Sequence, residues 1–316
     1  MLSKQNTRLQ ILDIFRILAI LLIVMVHVAQ TIGNPLGEHF TIFGFYSTTW
    51  GGVGVTIFLI LSGLVLGLKY ELMKFSQIFH FIKNRIIRIY PIYYVSVVIG
   101  IYFQLLLVLY DKTSLDYFLN ILHTVFLTPQ LFLCLGGLYA FSGQWGGILS
   151  PAGWFIGLIM SMYIFFPILM ICIRQKPNIA LSLTLAISVL SHFAINNYNI
   201  FAGRALDWFP LCRIFEFTLG IYLSHVLPEN IWRIINIKFF AIDKVIIFFS
   251  SLSFPLFLVN SIFKQLILIF LDQGYGYLRA ISLYLLICIL VSTLMLMLEQ
   301  KLILLFKKST SPNNLN

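Results

Sequence analysis

Three ionisable side chains lie inside one apolar stretch near the start of the chain. They are Asp13, Arg16 and His27, in Leu12-Asp13-Ile14-Phe15-Arg16 through Val26-His27-Val28. The stretch is long enough to cross a bilayer, where a charged Asp or Arg costs about 3 kcal/mol even on lenient insertion scales. Such groups persist where they face a protein interior or a watery cavity and have a task there. Asp13 and Arg16 have the i,i+3 spacing at which a carboxylate holds a guanidinium. Arg16 and His27 are eleven positions apart, which is about three helical turns plus ~20°. They therefore share a helix face, roughly 16 Å apart along its axis. Histidine is the side chain whose unperturbed pKa lies near working pH, so His27 suits proton transfer. A charged pair toward one end and an imidazole toward the other suit a site reached from both sides of a membrane.

A second basic pair occurs in Asn84-Arg85-Ile86-Ile87-Arg88-Ile89-Tyr90-Pro91. Arg85 and Arg88 are one turn apart, and paired guanidinium groups suit the multidentate capture of phosphate. Taken alone, the pair fits interfacial anchoring to lipid headgroups better. The run from Gly51 to Gly63 is rich in small residues, and helix packing accounts for it as readily as function does. Of the other histidines, His39, His80 and His225 fall at loops or span ends, while His123 and His192 lack a close ionisable partner in sequence. Arg213 and Glu216, one turn apart, fit an internal salt bridge better than acceptor binding. Trp154 and Phe155 open a span from outside and fit interfacial aromatics, with sugar stacking the weaker alternative. Glu299 fits a structural role. Cys134, Cys172, Cys212 and Cys288 are scattered through apolar stretches like small core residues. No cluster has metal-ligand spacing, and no metal is expected.

The elements that must hold these groups are membrane helices. The 316 residues are 60% hydrophobic and 10% charged, against about a quarter charged in a soluble domain, and the mean hydropathy is +0.95. Nine apolar segments follow one another, at about 11–31, 49–68, 89–110, 117–138, 152–173, 179–197, 209–227, 246–271 and 278–300. Their lengths predict an all-α polytopic bundle of about eight to ten transmembrane helices. They form a single domain over 1–316, with no linker, no internal repeat and no soluble domain expected after residue 308. The net charge of +10 sits at span ends, as in positive-inside anchoring, so nucleic acid is not an expected partner. Lys4 and Arg8 precede an apolar run without a small-x-small cleavage site, which predicts a retained first span. The basic residues predict both termini in the cytoplasm, but nine spans cannot leave them there. The 117–138 segment is the weakest and is open to a re-entrant, interfacial or two-pass reading.

The order of "LDIFRILA…VMVH", "GVTIFLILSG", "RIIRIYPIY", "GWFIGLIMSMYIFFPIL", "RIFEFTLGIYL" and "SLSFPLFLVN" resembles the membrane-bound acyltransferase-3 family over about residues 11 to 300. The resemblance implies an enzyme of about ten spans, often bacterial, in the plasma (inner) membrane. Such enzymes move an acyl group, commonly acetyl, from cytosolic acyl-CoA to a hydroxyl of a surface polysaccharide, peptidoglycan or lipid-linked glycan. Acetyl-CoA or another acyl-CoA would be a donor substrate, with no permanently bound cofactor. Arg16 and His27 match the family's essential pair, Arg85 and Arg88 its paired arginines, and Phe58, Ser62 and Gly63 its small-residue motif. Three positions depart from the family. Thr56 stands where many members have an acid, the Trp154 span is apolar near Ile159 where many carry Glu, and Asn260 stands where His is usual.

On this reading His27 is the general base on the acceptor hydroxyl, with a transient acyl carrier as the alternative. Arg16, held by Asp13, grips a phosphate or orients the thioester, Arg85 and Arg88 anchor the nucleotide end, and Asn260 has no part in proton transfer. The competing class is a transporter or flippase of a lipid-linked glycan or acyl group, which buried charge in a multi-span protein also fits.

Overall fold

A computed structural model describes residues 10–32, 41–42, 45–46, 50–70, 72–110, 130–141, 152–198, 208–228 and 242–309, with isolated positions at 116, 119 and 123. Its helices are α1 (Gln10–Thr31), α2 (Trp50–Lys69), α3 (Phe75–Tyr110), α4 (Gln130–Gly136), α5 (Gly153–Gln175), α6 (Pro177–Asn197), α7 (Ile214–Val226), α8 (Asp243–Phe263), α9 (Gln265–Asp272) and α10 (Tyr277–Ser309). The 3-10 turns Leu138–Phe141 and Pro210–Arg213 precede α5 and α7. The strands among the described residues are two residues each, pairing Thr41 with Tyr46 and Ile42 with Phe45. Seven helices, α1, α2, α3, α5, α6, α8 and α10, are long and apolar enough to cross a membrane. With the 3-10 turn before it, α7 spans residues 210–226, the low end of what a bilayer needs.

Several boundaries differ from the hydropathy segments for local reasons. Helix α3 starts at Phe75 instead of near 89, because Lys and Arg are good helix formers and a basic turn does not end a helix. At 36 residues it is roughly 54 Å long, so its basic first third projects beyond a hydrocarbon core of about 30 Å. The 246–271 segment divides at Lys264 into α8 and α9. Only Lys176 separates α5 from α6, and Pro177 opens the new helix at a position where its missing N–H costs nothing. Of the doubtful 117–138 segment, most of 117–129 lies outside the described residues, as do most of 32–48, 142–151 and 229–241. The described part, α4, has seven residues, too few to cross. It packs beside α3, where Tyr90, Tyr93 and Tyr94 donate to the carbonyls of Gly136, Cys134 and Leu135.

Side-chain contacts give the direction of each helix. A Cβ on Gly54 would meet Ala19 and one on Gly51 would meet Val26, so α2 runs antiparallel to α1. Phe81 packs on Phe166 and the Tyr93 hydroxyl lies near Gly153, so α5 runs antiparallel to α3. Ser188 Oγ donates to the Leu211 carbonyl and Tyr222 to Asn178, so α6 and the 210–226 unit are antiparallel. Helix α8 is parallel to α1, through Gln10 with Asp243 and Ser250 with Asp13. Tyr284 on α10 donates to the Asn260 carbonyl, while Glu299 near the other end shares a cavity with Ser250, so α10 returns antiparallel to α8. Counting the 210–226 unit, the described residues form eight rods that alternate in direction, an even number where the hydropathy segments gave nine. The start of α1 and the end of α10 lie on the same face.

Candidate active site

The first site element is the Asp13 carboxylate. It is fully buried and accepts from Arg16 Nη1 at 2.8 Å and from Ser250 Oγ at 2.6 Å. This satisfies the i,i+3 expectation and adds a donor from α8. A buried carboxylate needs such partners, because an unpaired one costs several kcal/mol. The Arg16 side chain, 30% exposed, reaches a cavity of about 440 Å³.

Arg85, Arg88, Glu299 and Gln300 line one end of that cavity, on the face where α1 begins and α10 ends. Arg85 is buried to 9% exposure and has an unusual surround. Its guanidinium carbon lies 5.0 Å from the ring centre of Phe81, 5.5 Å from Tyr163 and 5.7 Å from Tyr70. Nη2 donates to the Tyr70 hydroxyl at 3.0 Å, while Nε is buried without a partner. No described carboxylate pairs with it. Rings hold a guanidinium through their negative faces but do not neutralise its formal charge, so this end of the cavity has a cationic group with no carboxylate paired to it among the described residues. Serines 250, 251 and 253 form the α8 wall. Pro255 lies one turn further along α8 and lacks the N–H that would pair with the Ser251 carbonyl.

The far end of the cavity is aromatic. Phe58, Phe155 and Phe257 line it, with ring centres 4.7 Å apart for Phe155 and Phe257 and 6.4 Å for Phe58 and Phe155. His27 lies beyond these rings and is not part of the cavity wall. Its Nδ1 is hydrogen-bonded to Oδ1 of Asn260, one turn past Phe257 on α8. Asn260 Nδ2 donates to the carbonyls of Leu256 and Phe257, each at 2.8 Å.

The sequence candidates therefore divide. Arg16, Arg85, Arg88, Phe58 and Ser62 line the cavity. Asp13 stands behind Arg16, and His27 beyond the phenylalanines. Gly63 sits instead in the α2–α7 contact, where a Cβ would lie 2.0 Å from the Phe217 carbonyl oxygen; packing accounts for it. Trp154 packs tilted on Trp208 and edge-to-face on Phe155, each 5.8 Å away by ring centres, behind the cavity's end. Arg213 pairs with Glu216 at 3.2 Å and donates to Thr56 Oγ1 at 2.8 Å, tying α7 to α2. His192, half-buried, bonds the Ser188 carbonyl at 2.8 Å, so its ring has a backbone partner on its own helix. Among the described residues no group of three or more His, Cys, Asp or Glu could hold a metal ion.

Sequence reasoning missed two partners, Ser250 behind Asp13 and Asn260 on His27, and gave only a structural role to Glu299, which lines the cavity's charged end. Asn260 had a signal, since it stands at a position of note in "SLSFPLFLVN". Ser250 had none.

A family model described as an acyltransferase domain matches residues 9–298. The chain belongs to the acyltransferase-3 family. Neither the curated proteins nor the solved structures returned a match. The family match covers every helix that contributes to the cavity except the last residues of α10, and Glu299 and Gln300 lie just past its end. A membrane acyltransferase needs a donor site and a proton acceptor within one reach. Here α1 carries a cavity-lining arginine and a histidine on the same face.

Proposed function

We propose that this acyltransferase-3 protein moves an acyl group, most simply acetyl, from a cytosolic acyl-CoA to a hydroxyl of a cell-surface or lipid-linked glycan. The observation that carries this reading is the polarity of the cavity. Three arginines lie toward one end and phenylalanines line the other, one helical turn along α8 from the His27–Asn260 pair. A CoA thioester has the matching polarity, with phosphates at one end and a small acyl group at the other, joined by a long arm. Arg85 and Arg88 would hold the phosphates, Arg16 would steady the donor, and the acyl end would lie against Phe58, Phe155 and Phe257. The charged end then faces the cytosol of the plasma membrane, which agrees with the basic residues that flank the spans and keeps both termini inside.

In the reaction, His27 Nε2 takes the proton from the acceptor hydroxyl as its oxygen attacks the thioester carbonyl. The tetrahedral intermediate collapses, the C–S bond breaks, and the imidazolium returns the proton to the CoA sulfur. An ester and free CoA result. The test is release of free CoA by purified protein given acetyl-CoA and candidate glycans, with mass spectrometry of the glycan. Acceptor-dependent CoA release and one added acyl group are expected. No CoA release with any donor and acceptor would overturn the reading in favour of transport. In His27→Ala the rate is expected to fall by about 10²- to 10⁴-fold, the usual contribution of a positioned base. Full activity in that variant would remove the base from His27.

A further inference from the structure

His27 has one hydrogen-bond partner for its ring among the described residues, and that partner has no freedom of its own. Asn260 is fully buried. Its Nδ2 donates to two backbone carbonyls, Leu256 and Phe257, while the Asn260 backbone carbonyl accepts from Tyr284 at 3.0 Å and fixes this turn of α8. A carbonyl can only accept, so the amide cannot be turned round without setting its oxygen against both. Oδ1 therefore faces His27 Nδ1, and an amide oxygen can only accept as well. Nδ1 must carry the ring's proton. A neutral imidazole has one N–H, so the lone pair is left on Nε2. The register of α1 against α8 that makes this contact is pinned about three turns and more away by Ser250 with Asp13 and by Gln10 with Asp243.

We propose that Asn260 is a positioning residue that holds His27 as the Nδ1–H tautomer and so presents Nε2 as the basic atom. The inference rests on His27 acting as the base. It adds a reason for an amide at this position. An imidazole partner could switch between donor and acceptor, whereas the amide, pinned through its N–H groups, offers an acceptor whatever the protonation of its surroundings. It also cannot take a proton. The proton leaving the acceptor hydroxyl thus stays on Nε2 until the departing thiolate collects it: O–H and C–S break, C–O and S–H form.

The experiment is nuclear magnetic resonance of the full-length protein with isotopically labelled histidine ring nitrogens, at a pH where the ring is neutral. The His27 signals are identified by their loss in His27→Gln. A protonated Nδ1 and an unprotonated Nε2 are expected in the wild-type protein, and a mixture of tautomers in Asn260→Ala. In that variant kcat is expected to fall about 10- to 100-fold, part of what a general base contributes, with KM for acyl-CoA within about twofold, since the donor cavity is untouched. An unprotonated Nδ1 in the wild-type protein would overturn the proposal even if the variant fails to fold. So would an Asn260→Ala protein with unchanged tautomer and kcat. Retained transfer in His27→Ala would instead overturn the base assignment, while the ring signals still report whether Asn260 sets the tautomer.

Discussion

At the scale of single residues, charges that are each expensive in a membrane have been given different terms of residence. Asp13 is fully buried and doubly hydrogen-bonded, and it neutralises Arg16. Asp13→Ala removes the buried carboxylate from that guanidinium and leaves Ser250 without its acceptor. A destabilisation of about 2–3 kcal/mol is expected, below the 3–5 kcal/mol of a fully buried pair because Arg16 is partly exposed. Thermal melting in detergent measures it. Arg85 instead has rings for neighbours and no described carboxylate. Lysine keeps the charge but loses the plane that stacks on three rings and the fork that grips a phosphate. Arg85→Lys is therefore expected to raise KM for acyl-CoA about tenfold with little change in kcat, the mark of lost uniform binding. Phe155 and Phe257 set the depth available to the acyl group on the proposed reading. Phe155→Ala is expected to raise the activity with longer acyl donors relative to acetyl-CoA, which competition between donors would show.

At the scale of elements, the close packing of α2 against its neighbours decides where Arg16, Phe58 and Ser62 can meet. Lipid offers no hydrophobic drive for helices to associate, so close backbone approach has to supply it. A Cβ on Gly63 would lie 2.0 Å from the Phe217 carbonyl oxygen, and one on Gly220 would lie 2.1 Å from that of Ile60. These contacts are with backbone and cannot yield by a rotamer change. Gly63→Ala or Gly220→Ala is expected to cost at least the ~1–3 kcal/mol of an overpacked core. Gly52 has nothing within 4 Å of such a Cβ, so Gly52→Ala is expected to be neutral or slightly stabilising. Melting temperatures of the three variants in one detergent compare them directly. A similar drop in all three would mean the close approach is not what holds α2 to α7.

At the scale of the whole molecule, the alternation of eight rods brings α1, α3, α8 and α10 together with their basic ends on one face. The cavity inherits its polarity from that arrangement. The same alternation among the described rods predicts that reporters fused before α1 and after α10 fall on the same side of the membrane. Protease protection in sealed vesicles is expected to report both as cytoplasmic. Opposite sides would restore an odd number of crossings and place a further span outside the described residues.

Much of this was legible in the sequence. The apolar segments and their basic flanks are one-dimensional properties, because bilayer thickness sets helix length and desolvation sets where charge can sit. The i,i+3 spacing of Asp13 and Arg16 and the shared face of Arg16 and His27 follow from helical geometry alone, and the motif order sufficed for the family. What tertiary structure decided was which faces meet. A membrane helix is apolar toward lipid and toward its neighbours alike, so its period does not reveal its partners, and neither Ser250 nor Asn260 could be assigned to α1 from α8's sequence. Nor could Arg85 be told from a lipid anchor until Tyr70, Phe81 and Tyr163 were seen around it. The even number of rods among the described residues came from pairwise directions that no hydropathy sum contains. Gly63 and Ser62 are neighbours in one motif, yet one packs against backbone and the other lines the cavity. A helix turns about 100° between them, and only the positions of α7 and the cavity say what each then faces.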